Sequence, residues 1–347
     1  MTGNAQPDAG AGPPLDQPAR AWEIAGEGGE EPVRLGQTAL RVSPIGVGTV
    51  AWGDSLVWGY GRGYGDDDLQ AAFAGSVAAG ISLFDTAEIY GWGRSERLLG
   101  RFARSLPAQQ AAPAPVLATK FFPFPWRLRR ADLRRAVRGS LSRLGCRQID
   151  LYQIHWPTPL VSVEARMDAL ADVVQAGLVR AVGVSNYSAA ELHRAHDALA
   201  RRGVPLASNQ VHYSLLHRRP ERDGVLHACR ELGVTLIAYS PLELGLLSGK
   251  YGRGRPMPWL RRRRYRGASP ARLEPLLGAL RQIGHANGGK SPAQVALNWL
   301  IGKGSLPIPG AKDARQARDN AGAIGWRLTA AEMDTLDRLS APLSLSP

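Results

Sequence analysis

A carboxylate, a phenol, an amine and an imidazole each follow a short apolar run in this sequence. Asp85 and Tyr90 lie in Phe84-Asp85-Thr86-Ala87-Glu88-Ile89-Tyr90-Gly91, Lys120 in Ala118-Thr119-Lys120-Phe121, and His155 in Gln153-Ile154-His155-Trp156-Pro157. The runs Ile81 to Phe84, Val116 to Ala118 and Ile149 to Ile154 are aliphatic and β-branched, the pattern of buried strands. Four polar groups therefore emerge at or just past the ends of three consecutive strands. A phenol titrates near pH ~10 and is a poor proton donor at neutral pH unless a cation lowers that value. Lys120 can supply the cation, Asp85 can hold Lys120, and His155 can orient a carbonyl oxygen toward Tyr90. Such a set suits protonation of a developing alkoxide while a hydride reaches the carbonyl carbon. A histidine alone is more often structural than catalytic; the strand before His155 and its partners on neighbouring strands are what single it out.

Positioning these groups takes a repeating scaffold. Strand patterns centre near Gly46, Ser82, Leu117, Tyr152, Val182, Ala207, Leu236 and Leu306. Helical patterns intervene over Asp68 to Ala79, Ser95 to Arg104, Ala131 to Leu144, Val163 to Gln175, Ala189 to Arg201, Arg222 to Leu232 and Arg272 to Leu300. Eight strands alternating with helices in one domain over 33–347 imply an α/β fold, a (β/α)8 TIM barrel. Val33 to Gly36 and Leu40 to Val42 flank a turn and read as a hairpin capping its bottom. A doubly wound sheet fits less well. No G-x-G-x-x-G opens a first helix, and the motifs recur after many strands rather than at one switch point.

Composition excludes several other classes. The chain has 347 residues, 44% hydrophobic, with no stretch of ~18 apolar residues to span a membrane. Cys146 and Cys229 form no CxxC or metal spacing, so a reducing, cytoplasmic compartment is expected. Residues 1–32, rich in Ala, Gly, Pro and acids, read as a disordered leader. The net charge of +13 raises nucleic-acid binding. Of its arginine clusters, Arg127 to Arg138 reads as the solvated face of a helix whose Leu133, Val137, Leu141 and Leu144 point inward. Arg261 to Arg264 with Arg266 form the second cluster. Gly59 to Gly65 looks like an RGG segment too short to persuade, and reads as a mobile loop at a pocket edge. Gly284-His285-Ala286-Asn287-Gly288-Gly289-Lys290-Ser291 satisfies the P-loop expression, but a helix precedes it where a strand is required. Ser291-Pro292-Ala293-Gln294 reads instead as an N-cap, Pro at N1 and a capping-box Gln. The six other histidines lack carboxylate or cysteine partners at metal spacing, so no metal site is expected.

From about Leu35 onward the chain resembles the aldo-keto reductases, whose Asp-Tyr-Lys-His tetrad matches Asp85, Tyr90, Lys120 and His155. The wording is closest to the potassium-channel β-subunit-like and plant chloroplast branches. The resemblance implies reduction of aldehydes or ketones, with hydride from nicotinamide C4 and a proton from Tyr90. It also implies NADP(H) as cofactor, with NAD possible. Thr49, Ser185, Asn186 and Gln210 match positions around the nicotinamide and its carboxamide, and Tyr239 can stack on that ring. Ser240, Pro241, Leu242, Gly245 and Lys250 match one cofactor segment. Gly310, Lys312, Gln316, Asp319 and Asn320 match the phosphate and adenosine segment, where backbone N–H groups at a helix start suit a phosphate. Asp313 departs from the pattern, since several relatives carry there an Arg that meets the 2′-phosphate. Lys312 and the arginines of 252–266, folded over the cofactor, would compensate. Eight aromatics gather near strand ends: Trp52, Trp58, Tyr60, Trp92, Phe122, Phe124, Trp126 and Trp156. Of these, Trp52, Trp92, Phe122 and Trp156 are expected to line a pocket for aromatic or bulky carbonyls. The channel-like branch allows an alternative role, a redox-sensing subunit that turns over slowly. The plant branch makes pyridoxal a candidate substrate.

Overall fold

The computed structural model describes residues 31–107, 114–251 and 270–343. A two-stranded antiparallel hairpin, β1 (Val33–Arg34) and β2 (Arg41–Val42), precedes an eight-stranded parallel sheet. Its strands are β3 (Gly46–Gly48), β4 (Leu83–Asp85), β5 (Val116–Phe121), β6 (Ile149–Ile154), β7 (Val179–Ser185), β8 (Leu206–His212), β9 (Thr235–Tyr239) and β10 (Ser305–Pro307). They are paired in sequence order, and the ends meet. Gly48 N–H donates to Pro309 O at 3.0 Å and bridges Gly310, so the sheet closes into a (β/α)8 barrel.

The helices are α1 (Asp66–Ala78), α2 (Arg94–Ser105), α3 (Arg130–Leu144), α4 (Val163–Gln175), α5 (Ala189–Ala200), α6 (Arg219–Arg222), α7 (Val225–Glu231), α8 (Pro270–Ala286), α9 (Pro292–Gly302), α10 (Ala314–Ala321) and α11 (Ala330–Ser340). One sequence expectation is corrected. The single pattern expected over Arg222 to Leu232 begins with a separate turn, because Gly224 (φ +78) breaks α6 from α7. The pattern over Arg272 to Leu300 divides into α8 and α9 at the Ser291 cap read from the sequence. Ser291 Oγ accepts from Gln294 N–H, and Gln294 returns the bond to Ser291 N–H at 2.8 Å. The P-loop expression is thus a helix stop followed by a capping box.

Two cores follow from the two faces of the strands. Outside, the large core lies between barrel and helices, with Phe73, Phe102, Tyr152 and Trp299 among its buried rings. Inside, Leu83, Val116, Ala118, Leu151, Ala181, Ala207, Ile237 and Leu306 fill the lower barrel, closed below by Leu35, Leu40 and Val42 of the hairpin. Side chains two residues apart share a strand face. Asp85 therefore stands above Leu83, Lys120 above Ala118, and Gln153 above Leu151. The apolar layer at the bottom fixes the facing of the polar layer at the C-terminal mouth.

β8 needs one irregularity to join that layer. Its pairing with β7 slips, Val182 opposite Leu206 but Gly183 opposite Ser208, leaving Ala207 as a bulge. The bulge switches the strand's facing, so that Gln210 points into the barrel although Ala207 does too. Gly183 accommodates the shift: a Cβ there would stand 2.3 Å from Ser208 Oγ.

Candidate active site

At the barrel mouth Lys120 is fully buried, with its ammonium ion-paired to Asp85 Oδ1 and donating to Thr86 O at 2.9 Å. Asp85 Oδ2 accepts from Gln153 Nε2 at 2.9 Å and Gln210 Nε2 at 3.0 Å, and Gln210 also donates to Gln153 Oε1 at 3.3 Å. The carboxylate thus receives donors from β5, β6 and β8 together. Lys120 Nζ lies 5.2 Å from the Tyr90 ring centroid, and the Tyr90 and His155 rings meet edge-on at 5.7 Å. Phe122 packs edge-on against His155 from the other side at 5.6 Å. The four groups singled out from sequence are brought together.

The electrostatics differ from the sequence expectation in one respect. Burial raises the Tyr90 phenol above the ordinary tyrosine value; Lys120 opposes the rise and Asp85 reinforces it. The expected lowering by Lys120 does not prevail, because desolvating a phenolate beside a carboxylate outweighs one neighbouring cation. Burial alone would lower the Lys120 ammonium, yet Asp85 and Tyr90 lift it above its usual value. Burial, with Lys120, brings His155 down to about 3, so its imidazole is neutral at physiological pH. Its Nδ1 has no hydrogen-bond partner among the described residues.

Tyr90 is set by a tight turn in which Gly91 and Trp92 adopt left-handed φ of 54° and 53°. Glu88 braces the turn from below. Its carboxylate accepts from Phe122 N–H at 2.7 Å and pairs with Arg127. Arg127 in turn covers Phe121 and Phe124, at 5.3 and 5.1 Å from their centroids. Trp92 and Trp156 remain 78% and 46% exposed beside the mouth, and Trp126, stacked on Phe124 at 4.8 Å, is 73% exposed. Trp52 is a correction. It is wholly buried, donates from its indole to Ala311 O at 2.9 Å and packs edge-on to Phe102, so it belongs to the core. Thr49 is likewise inside the wall, its hydroxyl bonded to Asp85 O at 3.0 Å and Ser95 Oγ at 2.8 Å.

The expected carboxamide positions form one connected group. Asn186 (φ +64) donates to His155 O and Ser185 Oγ, both at 3.0 Å, and accepts from Tyr239 Oη at 3.1 Å. Ser185 donates to Gln210 O at 2.7 Å, while the cap of α5 is Ser188. Beyond Tyr239, Ser240, Glu243 and Leu244 all take positive φ, so the turn carrying Pro241 and Leu242 is strained. Gly245 (φ +89) leaves room for the Lys250 chain, which a Cβ would meet at 2.3 Å. Buried Glu243 accepts from His212 Nε2 at 2.7 Å and Ser214 Oγ at 2.5 Å, tying this turn to β8. His212 stacks on Tyr239 at 5.3 Å and on His217 at 3.9 Å.

Around the start of α10, Lys312 Nζ donates to Trp58 O at 3.0 Å, and Lys312 N–H donates to Gln316 Oε1 at 3.2 Å. Asp313 is the N-cap of α10, accepting from Gln316 N–H at 2.8 Å and Gln316 Nε2 at 3.0 Å. Asn320 donates to Gly310 O at 3.3 Å. Asp319 accepts from Ser291 Oγ at 2.9 Å, holding α10 to α9. The arginine loop at 252–266 and nearly all of the leader lie outside the described residues.

Sequence reasoning passed over Gln153, Glu88 and the His212–Glu243 pair. Gln153 carried a signal, a polar residue two places beyond an inward leucine.

Comparison with known proteins agrees with this geometry. The Aldo/keto reductase family matches residues 44–341. The chain belongs to that family. It is 47% identical over 299 residues to the chloroplastic pyridoxal reductase of Arabidopsis thaliana, covering 84% of this chain and 81% of that one. Among solved structures, the glycerol dehydrogenase of Gluconobacter oxydans aligns with a TM-score of 0.77 at 28% identity, over 91% of this chain and 97% of that one. An aldo/keto reductase from Klebsiella pneumoniae in complex with NADP and acetate aligns at 0.69 and 27%, over 92% and 97%. The protein is therefore an oxidoreductase of aldo/keto reductase type. Among the described residues no helix is long and apolar enough to cross a membrane.

Proposed function

We propose that this aldo/keto reductase reduces aldehydes and ketones with NADPH, Tyr90 being the proton donor. The observation that carries the reading is the buried Lys120 ammonium, held by Asp85 and facing the Tyr90 ring at 5.2 Å, with His155 edge-on to the same ring. One feature fits a dinucleotide: a groove of about 490 Å³ lies beside Lys312 and Gln316. Ser185, Asn186, Gln210 and Tyr239 would hold the nicotinamide end, and Gly310 to Asn320 the phosphate and adenosine end. A nicotinamide, when bound, supplies the hydride.

The chain's own groups manage the proton. Neutral His155 donates a hydrogen bond to the carbonyl oxygen and aims it at Tyr90. The Tyr90 phenol, kept protonated by burial, releases its proton to that oxygen as negative charge develops there. Lys120 then faces the phenolate, and its ammonium balances the new charge. Trp92, Phe122 and Trp156 exclude water and favour a flat or bulky substrate. Pyridoxal heads the aldehydes to assay, since a relative at 47% identity is named for it.

The test is steady-state oxidation of NADPH by the purified protein against a panel of aliphatic and aryl aldehydes that includes pyridoxal. Multiple turnovers with preference for ring-bearing aldehydes are expected. Single-turnover oxidation of bound NADPH with every carbonyl would overturn the reading in favour of a slow redox-sensing subunit.

A further inference from the structure

We propose that Arg62, at the tip of the turn between β3 and α1, reads the 2′-phosphate of NADP(H) and gives this reductase its preference over NADH. The inference rests on the dinucleotide-dependent reading above. The groove of about 490 Å³ runs between two segments remote in sequence. Trp58, Arg62 and Tyr64 line it on one side, and Lys312, Asp313 and Gln316 on the other. Its charged side chains are not equivalent. Lys312 is occupied in holding the segments together, through Trp58 O and with its Nζ 4.3 Å from the Tyr64 ring centroid. Asp313 caps α10, and Asp68, also on the groove, accepts from Gly65 N–H at 2.8 Å to cap α1. Arg62 is exposed, and no hydrogen bond or ion pair engages its guanidinium among the described residues.

The turn presenting Arg62 is braced by hydrogen bonds. Gly61 N–H donates to Tyr64 O at 2.9 Å, Tyr64 Oη donates to Ala51 O at 2.6 Å, and Tyr60 Oη is bonded to Asp66. Gly59 and Gly61 take φ of 74° and 81°, where a side chain would be strained although space is open around both. The two tyrosines are thereby anchored on either side of the arginine. A guanidinium so presented matches a phosphate monoester by a two-pronged, charge-assisted contact, and offers a bare ribose hydroxyl far less. Asp313, spent as a helix cap on the opposite wall, does not provide the cation that a 2′-phosphate requires. Among the described residues lining the groove, Arg62 is the cation left to discriminate, since Lys312 is engaged with Trp58 O and the Tyr64 ring.

Tryptophan-fluorescence titration of wild type, Arg62→Gln and Arg62→Lys with NADPH and with NADH tests this. Arg62→Gln should weaken NADPH by about tenfold, a charged hydrogen bond discounted for exposure, and leave NADH within about twofold. Arg62→Lys should recover part of the loss, and the salt dependence of NADPH binding should flatten in the glutamine variant. Unchanged NADH affinity doubles as the control for folding. An NADPH-to-NADH ratio that Arg62→Gln leaves unmoved, or a wild type with no preference between them, overturns the assignment alone. A wild type that binds neither dinucleotide overturns the functional reading beneath it.

Discussion

Replacing Lys120 by Met isolates the centre of the site, because only the ammonium is lost. The Lys120 side chain is fully buried and Asp85 is 3% exposed, so the change strands a carboxylate inside the barrel. Removing one partner of a buried ion pair costs about 3–5 kcal/mol. Gln153 and Gln210 still donate to Asp85 Oδ2, which places Lys120→Met near the lower end, at about 3 kcal/mol. Asp85→Asn strands the ammonium instead, with Thr86 O and the Tyr90 hydroxyl as its neutral partners. The double variant holds no buried charge here and should recover at least ~2 kcal/mol of the summed loss. The two singles also differ in pH dependence. In wild type the Lys120 pKa is raised above its unfolded value, so its stabilisation is complete below that value and lost only as pH climbs through the folded one. In Asp85→Asn burial acts on Lys120 with Tyr90 alone opposing it, the folded pKa should fall below the unfolded value, and stability should rise with pH up to about 10. Urea unfolding followed by circular dichroism at neutral pH and about pH 9 measures both effects. A double variant as unstable as the sum of the singles would refute the coupling.

Tyr90→Phe should lower carbonyl reduction by at least ~10²-fold while leaving NADPH affinity nearly intact, read by steady-state rates and fluorescence titration. Lys120→Arg should be severely impaired in the same assays, since a planar guanidinium cannot take the place of a compact ammonium. His155 stays neutral down to about pH 3, so the unfolded chain binds the extra proton first. Its contribution to stability is complete above the unfolded value of about 6.5 and drains as pH falls from there toward 3, visible as an acid slope in wild type that His155→Gln lacks. Asp313→Asn keeps the helix cap and removes a carboxylate from the groove, so NADPH should gain relative to NADH. Asp313→Arg should lose about 1 kcal/mol of stability with the cap, and equal thermal stability of the two variants would contradict the assigned cap.

Asp85 and Lys120 were legible because strand periodicity leaves little choice: each stands two residues beyond an inward-facing Leu83 or Ala118. Tyr90 and His155 lie past the strand ends and were marked by the motifs around them. The eight strand centres followed from the same apolar runs, and the α9 cap from Ser291 and Gln294. What escaped depended on contacts between distant segments. Trp52 lies near a strand end, like the pocket aromatics, and its burial against Phe102 and its bond to Ala311 show that it is core. The direction of the Tyr90 shift depends on burial by several loops, which no local motif encodes. α11 was not anticipated at all, although Thr329 and Glu332 form a capping box at its start. The bulge at Ala207 carries neither Gly nor Pro. Without it the face assigned to Gln210 would have been the outer one.

Under the proposed function that bulge would give Gln210 two compatible roles. Its Nε2 spends its two hydrogens on Asp85 Oδ2 and Gln153 Oε1, fixing the orientation of the amide. Fixed in this way, Oε1 is the atom left to accept from a nicotinamide carboxamide N–H, the role the family resemblance implies. Under the proposed function one side chain would then touch both halves of the reaction, the carboxylate that holds the cation and the ring that carries the hydride. Gln153 is the piece that makes this possible, since its Oε1 takes the second hydrogen. A leucine at that position would free the Gln210 amide to turn. The nitrogen would then face the carboxamide as readily as the oxygen, and the ring would lose its orientation relative to Tyr90. Hydride transfer depends on that angle more steeply than binding does. Gln153→Leu should therefore lower kcat by a larger factor than it raises the KM for NADPH. A loss confined to KM would place Gln153 in the support of Asp85 alone.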